Sequence, residues 1–181
     1  MKIGLALGGG SARGLAHIPV LEVFDELGIK PHVIAGCSIG SLLGAAYAGG
    51  MSAKEIRERA EMLLSNRVGA LRYAFAEKRV KPFDILALKG LASLHVHGET
   101  LAGLVPETLP KLIEDLGIPF KVIATDFDAM EERVITSGSL TKAIGASIAI
   151  PGVILGPSYD GHSYVDGGVT NPVPFDHARE G

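Results

Sequence analysis

Apolar and polar positions fall into blocks along this chain, and the spacing within each block changes from one to the next. Ile3-Gly4-Leu5-Ala6-Leu7 is an apolar run ending in glycines, the pattern of a buried parallel strand. From about Leu15 to Leu27 the period becomes helical: Leu15, Ile18, Leu21 and Val23-Phe24 share one face, and Gly28 supplies a stop. Pro19 suits that helix only in or near its first turn, where a missing N–H loses no hydrogen bond. His32-Val33-Ile34-Ala35 reads as a second short buried strand and Ile39 to Ala48 as a small-residue helix closed by Gly49-Gly50. Ser52-Ala53-Lys54-Glu55 is a capping box opening a third, amphipathic helix to about Leu64. Arg67 to His97 sustains no period. Beyond it, Glu99 to Leu116 reads as helix interrupted by Pro106 and Pro110, and Phe120 to Thr125 as a buried strand. Arg133 to Thr136 reads as a further strand, Leu140 to Ile148 as a short helix, and Tyr164-Val165-Asp166 as a last strand broken by Gly167-Gly168. Strands alternating with helices predict an α/β fold, a three-layer α/β/α arrangement with a mostly parallel central sheet.

Composition narrows the class. The 181 residues suit one domain, 1–181, with enough chain to bury a core. With 47% apolar and 20% charged residues the chain is neither disordered nor fibrous. A formal charge of −3 argues against nucleic acid as a partner. Charge is uneven, however. From Lys54 to Lys81 eight basic residues (Lys54, Arg57, Arg59, Arg67, Arg72, Lys78, Arg79, Lys81) face four acidic ones, a local excess of +4. Such a run is more often a solvated face than a headgroup-binding patch. The single Cys37 cannot form an intramolecular disulfide and fits a reducing compartment. The N-terminal apolar run is too short for a signal segment, and no stretch reaches the roughly 18 apolar residues of a membrane span. A cytoplasmic protein is expected.

Gly36-Cys37-Ser38-Ile39-Gly40 is the stretch that carries chemistry. A Gly-x-Ser-x-Gly between strand and helix is the sequence form of a nucleophile elbow, which lifts the serine hydroxyl above the sheet at a helix N-terminus. A serine nucleophile needs a base and donors for the oxyanion. Gly8-Gly9-Gly10, at the end of the strand expected beside the elbow, offers amides with no Cβ in the way. A phosphate loop is the weaker reading of Gly8-Gly9-Gly10-Ser11-Ala12-Arg13-Gly14: no Gly-Lys-Ser/Thr follows, and the third glycine falls one residue late for a dinucleotide fingerprint. Two bases are open. Ser38, Asp166 and His177 fall in the order of an α/β-hydrolase triad, although only one strand precedes the elbow here. Alternatively Asp166, on the turn Asp166-Gly167-Gly168, acts on the serine directly. An aspartate before glycine is also an ordinary turn residue. His95-Val96-His97 suggests a metal only weakly, with no third ligand nearby. Cys37 reads as a buried small hydrophobe, and Asp126 as a structural acceptor near the site.

Four separated motifs occur together: Gly8-Gly9-Gly10-Ser11-Ala12-Arg13-Gly14 with Ala16-His17, the elbow around Ser38, Ala146-Ser147-Ile148-Ala149-Ile150-Pro151-Gly152, and Asp166-Gly167-Gly168 with Asn171-Pro172-Val173-Pro174. With Thr125-Asp126 they make a chain that resembles the bacterial patatin-like acyl hydrolases, a family of phospholipases and lysophospholipases with a Ser-Asp dyad. The resemblance covers nearly everything except Arg67 to His97, a segment that varies in the family. It implies Ser38 as nucleophile, Asp166 as base, the Gly8, Gly9 and Gly10 amides as oxyanion hole, and Arg13 as support for that loop. It also implies that the histidines are not catalytic, that no metal or cofactor is required, and that the substrate is a lipid or other acyl ester; the local +4 region is what offers peripheral contact with a membrane. A thioesterase or acyltransferase using the same elbow, or a regulatory binding module with an inherited site, is the alternative. Family members continue past the helix in which this sequence stops, so the resemblance leads one to expect missing C-terminal elements and an exposed sheet edge open to self-association.

Overall fold

The computed structural model describes residues 2–62, 96–97, 105–152, 154–159 and 161–179. Its centre is parallel: β1 (Gly4–Leu7) pairs with β2 (Val33–Cys37), and β2 pairs with β4 (Phe120–Asp126). Antiparallel strands complete the six-stranded sheet. β5 (Glu131–Ile135) and β8 (His162–Asp166) both pair with β4, and β7 (Ser158–Tyr159) pairs with β8. Apart from this sheet, β3 (Val96–His97) pairs in parallel with β6 (Ile154–Leu155).

The register explains how the site is placed. β5 occupies β4 from Val122 to Asp126 and so takes one edge of that strand. The opposite edge is shared. β2 holds it from Phe120 to Ile123, and β8 holds it from Ala124 to Asp126, running the other way. The C-terminal ends of β2 and β8 therefore meet head to head, with Cys37 opposite Ile123 and Asp166 opposite the next residue, Ala124.

Side chains alternate across a strand, and the registers put Leu5, Leu7, Ile34, Phe120, Val122 and Ala124 in one cluster. That face is covered by α1 (His17–Glu26), α2 (Ile39–Ala48), a helix α3 over 53–62 and α4 (Leu140–Ser147), which add Leu21, Leu43, Ile56 and Ile144 to the cluster. Against β1 and β2 packs α5 (Phe175–Arg179). Asp25 ties three helices together: it accepts from Tyr47 Oη at 2.7 Å and from the Ala53 amide at 2.7 Å. Burial first, and the Asp25 carboxylate second, push the Tyr47 hydroxyl well above the ordinary tyrosine range.

The expected α/β class and its layered sheet are present. Pro19 falls in the first turn of α1, as its missing N–H requires, but the chain before it is a 3-10 helix (Ser11–Ala16) rather than the start of α1. The capping box forms: Ser52 N donates to Glu55 Oε2 at 2.8 Å and Glu55 N to Ser52 Oγ at 3.2 Å. The helix expected over Glu99 to Leu116 is not found in its described part. There the chain makes turns and one short 3-10 helix (Ile113–Asp115). Pro106 and Pro110 remove two amides, and the backbone pairs elsewhere, with Ile113 N donating to Gly138 O and Leu140 N to Lys111 O. His95, Arg67, Arg72, Lys78, Arg79 and Lys81 lie outside the described residues. Among the described residues no helix is long and apolar enough to cross a membrane.

Candidate active site

Ser38 stands where β2 ends and α2 begins, at φ 53° and ψ −126°, a conformation that non-glycine residues rarely adopt. The turn is tight enough to exclude its neighbours' side chains. A Cβ on Gly40 would lie 2.0 Å from Leu7 O, and one on Gly36 would lie 2.7 Å from Gly40 O. Three groups hold the serine. Its amide donates to Ser147 Oγ at 2.8 Å, its carbonyl accepts from Ser41 Oγ at 2.7 Å, and its Oγ donates to Asp166 Oδ2 at 2.6 Å. The serine reaches the carboxylate directly, without an imidazole between them.

Asp166 is brought there by the end of β8. Its amide donates to Ala149 O at 2.8 Å, its carbonyl accepts from Thr125 Oγ1 at 3.1 Å, and its Oδ1 accepts from the Gly168 amide at 2.8 Å. The last of these fixes the carboxylate plane and leaves Oδ2 to the serine. Both residues are buried, Ser38 at 7% and Asp166 at 9% exposure. That matters because a hydrogen bond shielded from water is electrostatically stronger than one in solvent.

The glycine loop lies beside them. A Cβ on Gly9 would sit 3.3 Å from the Ser38 Cβ, so the loop backbone approaches Ser38 closely. The Gly9 amide donates to Pro172 O at 2.9 Å and is committed to that carbonyl. Gly10 takes φ 150° as the loop enters the 3-10 helix. Arg13 closes the turn through its backbone, N to Gly10 O at 3.0 Å. A side-chain brace comes from His17, whose Nε2 donates to Gly8 O at 2.8 Å.

Other predicted residues lie apart. His177 Nε2 pairs with Glu132, with Asp176 Oδ2 3.4 Å away. Asn171 holds the Asp176 carboxyl below its ordinary range, with the His177 charge a smaller cause. Asp126 is buried as a structural acceptor: Oδ1 takes the amides of Asp128 and Ala129, and Oδ2 lies 2.8 Å from His162 Nδ1. Asp126, Asp128 and His162 bring three ligand-type atoms together, as do Glu132, Asp176 and His177, but the hydrogen bonds just described already use several of these oxygens. Cys37 is fully buried. Burial first, then the charge of Asp166, push its thiol up to about 12. Sequence reasoning did not single out Ser147, Ser41 or the Thr125 hydroxyl as parts of the site.

Ser38 opens on a cavity of about 320 Å³ lined by one face of α2 (Ile39, Leu42, Leu43, Ala46) and by Met51, Ile56 and Ile148. Among the described residues lining it, only Arg59 is charged.

A serine elbow, an aspartate in contact with it and an apolar cavity fit a family profile that matches residues 5–179, that of the patatin-like phospholipases. The chain belongs to the patatin-like phospholipase family. Among curated proteins it is 34% identical to patatin-like phospholipase domain-containing protein 6 of Mus musculus over 98% of this chain. It is 33% identical to neuropathy target esterase sws of Drosophila melanogaster over 97% of the chain, and 33% to patatin-like phospholipase domain-containing protein 7 of Rattus norvegicus over 98%. The patatin-like segment spans about 12% of the length of each of these relatives. All three are animal proteins, so the bacterial branch of the resemblance gains no support from them.

Proposed function

We propose that this chain is a serine acyl hydrolase that cleaves carboxylic esters of lipids, of phospholipase or lysophospholipase type, through Ser38 and Asp166. In this reading Asp166 Oδ2 takes the hydroxyl proton as Ser38 Oγ bonds to the ester carbonyl carbon. The tetrahedral oxyanion is met by the amides of Gly8 and Gly10, since that of Gly9 goes to Pro172, and by the N-terminus of α2. Collapse expels the alcohol, which receives the proton from Asp166 and leaves an acyl-serine. Water, deprotonated by the same carboxylate, then releases the fatty acid and restores the hydroxyl. The acyl chain lies in the apolar cavity along α2.

The observation that carries the reading is the 2.6 Å contact between Ser38 Oγ and Asp166 Oδ2 at the mouth of that cavity. The relatives' names, phospholipase and esterase, agree with it. The +4 segment around Arg72 and Lys78 is assigned to peripheral contact with anionic lipid surfaces, consistent with a cytoplasmic location. Vesicle binding unchanged by charge reversal there would remove that part of the proposal.

Hydrolysis of a p-nitrophenyl acyl ester series and of a lysophospholipid tests the whole. Ser38→Ala and Asp166→Ala are each expected to lose roughly 10⁴-fold or more in kcat, while His177→Ala stays within a fewfold of wild type. Loss of activity in a folded His177→Ala protein would instead indicate a triad.

A further inference from the structure

The hydrogen-bond ladder between β2 and β4 is interrupted at the nucleophile in an informative way. In a parallel pair the bonds are evenly spaced and recur every second residue. Here Ile34, opposite Phe120, donates its amide to the preceding carbonyl, Pro119 O, at 2.9 Å. Two residues on, the same register leads Gly36 N to Lys121 O, and two further on it leads Ser38 N to Ile123 O. That last bond is not made directly. Ser147 Oγ lies between the two groups, accepting from Ser38 N at 2.8 Å and donating to Ile123 O at 2.5 Å. The directions are fixed, because an amide can only donate and a carbonyl can only accept.

We infer that Ser147 is a positioning residue for the reaction: its hydroxyl, spliced into the ladder as an extra rung, sets how far the nucleophile stands from β4 and so its alignment with Asp166. This rests on the hydrolase reading given above. Three observations carry it. The Ser147 side chain is fully buried at the C-terminal end of α4, so its geometry is set by packing. The space opened beside the rung is occupied by Gly167, immediately after Asp166, where a Cβ would lie 2.2 Å from Ile123 O and 3.1 Å from Cys37 Sγ. Ser147 also grips the amide of a residue held at φ 53°, while Ser41 grips its carbonyl, so the strained turn is clamped from both sides. Without the hydroxyl, either Ser38 N and Ile123 O stay unpaired in the interior or the ladder closes directly between them. Closure draws Ser38 toward β4 and changes its alignment with Asp166 Oδ2.

The test compares Ser147→Ala, Ser147→Thr, Ser38→Ala and wild type as whole chains. Active sites are titrated with a fluorophosphonate ester, and turnover of a p-nitrophenyl ester is expressed per titrated site. Ser147→Ala is expected to lower kcat and the rate of phosphonylation roughly 100-fold, the scale of an ångström's misplacement. KM should stay within about threefold, because the cavity along α2 is untouched. Ser147→Thr, which keeps the hydroxyl, is expected to restore most of the rate. A purely structural role predicts something different: fewer titratable sites and a lower melting temperature, with each remaining site reacting at the wild-type rate. That result would overturn the inference. So would a Ser147→Thr protein with wild-type melting temperature that reacts as slowly as Ser147→Ala. Turnover retained by Ser38→Ala would instead bring down the hydrolase reading itself, whereas an inert Ser38→Ala beside an unimpaired Ser147→Ala would refute the role of Ser147 alone.

Discussion

Ser38 adopts a conformation costing on the order of 1–3 kcal/mol, and the surrounding contacts hold it there through its amide, carbonyl and hydroxyl. Its sequence neighbour Cys37 shows how differently two adjacent nucleophilic side chains are treated. The Cys37 thiol points into the interior and ionises only near pH 12, because burial and the Asp166 charge both oppose the thiolate. Iodoacetamide at pH 8 should therefore leave esterase activity intact over hours in the folded protein, as followed by residual turnover, with alkylation appearing on unfolding. At the opposite end of β2, His32 buries both ring nitrogens without a hydrogen-bond partner among the described residues. An unsatisfied buried polar group is destabilising, so His32→Leu should raise stability by roughly 1 kcal/mol, read as a higher urea midpoint at unchanged slope. At this scale the sequence was readable wherever a motif imposes its own geometry. Gly-x-Ser-x-Gly announces a turn too tight for side chains, and Asp-Gly-Gly a carboxylate on a bend. Ser147 was not readable in the same way, because its role comes from a register between β2, β4 and α4 that no local spacing encodes.

Among the elements, α2 does two jobs, and each makes a separate demand on sequence. Its first turn must pass over β1, and Gly40 lies where a Cβ would be 2.0 Å from Leu7 O, a backbone atom that cannot swing aside. Gly40→Ala should abolish soluble folded protein or the elbow with it, as judged by circular dichroism and fluorophosphonate labelling. Further along, Ala46 faces the cavity. A large side chain there shortens the space for an acyl chain without touching Ser38. Ala46→Phe should move the preferred ester toward shorter chains, with each methylene denied burial lowering kcat/KM about fourfold, the equivalent of about 0.8 kcal/mol. The helices α1 and α3 were visible in their periodicity because each presents one face to the core cluster, whereas α2 is buried nearly all round and is legible instead from its small residues between the elbow and Gly49-Gly50. The stretch before Ile113 misled for a physical reason. Its composition favours helix, but Pro106 and Pro110 remove donors and its remaining backbone groups pair with residues near Gly138. The antiparallel strands β7 and β5 were missed or shortened, since short strands at a sheet margin carry little apolar pattern.

For the whole molecule, the decisive feature is that β8 reaches β4 through only three paired positions, Ala124, Thr125 and Asp126, whereas β2 is buried at every position and is paired on both sides, with β1 and with β4. Stability is unevenly distributed in such a structure, and a segment with few pairings opens first. Activity is thus expected to fall at urea concentrations below the midpoint seen by far-UV circular dichroism, with amide exchange in 162–170 faster than in β2. Coincident transitions by both probes would show that β8 is as firmly held as the centre.

The Ser38 and Asp166 side chains come from positions 128 residues apart and meet because two strand ends abut on one edge of β4. During synthesis, at roughly 5–20 residues per second, the serine leaves the ribosome many seconds before the aspartate exists. Through that interval the growing chain carries an elbow without its carboxylate, and under the proposed mechanism it is inert toward esters. An elbow left incomplete until late in synthesis is a consequence of where along the chain this fold draws its two halves.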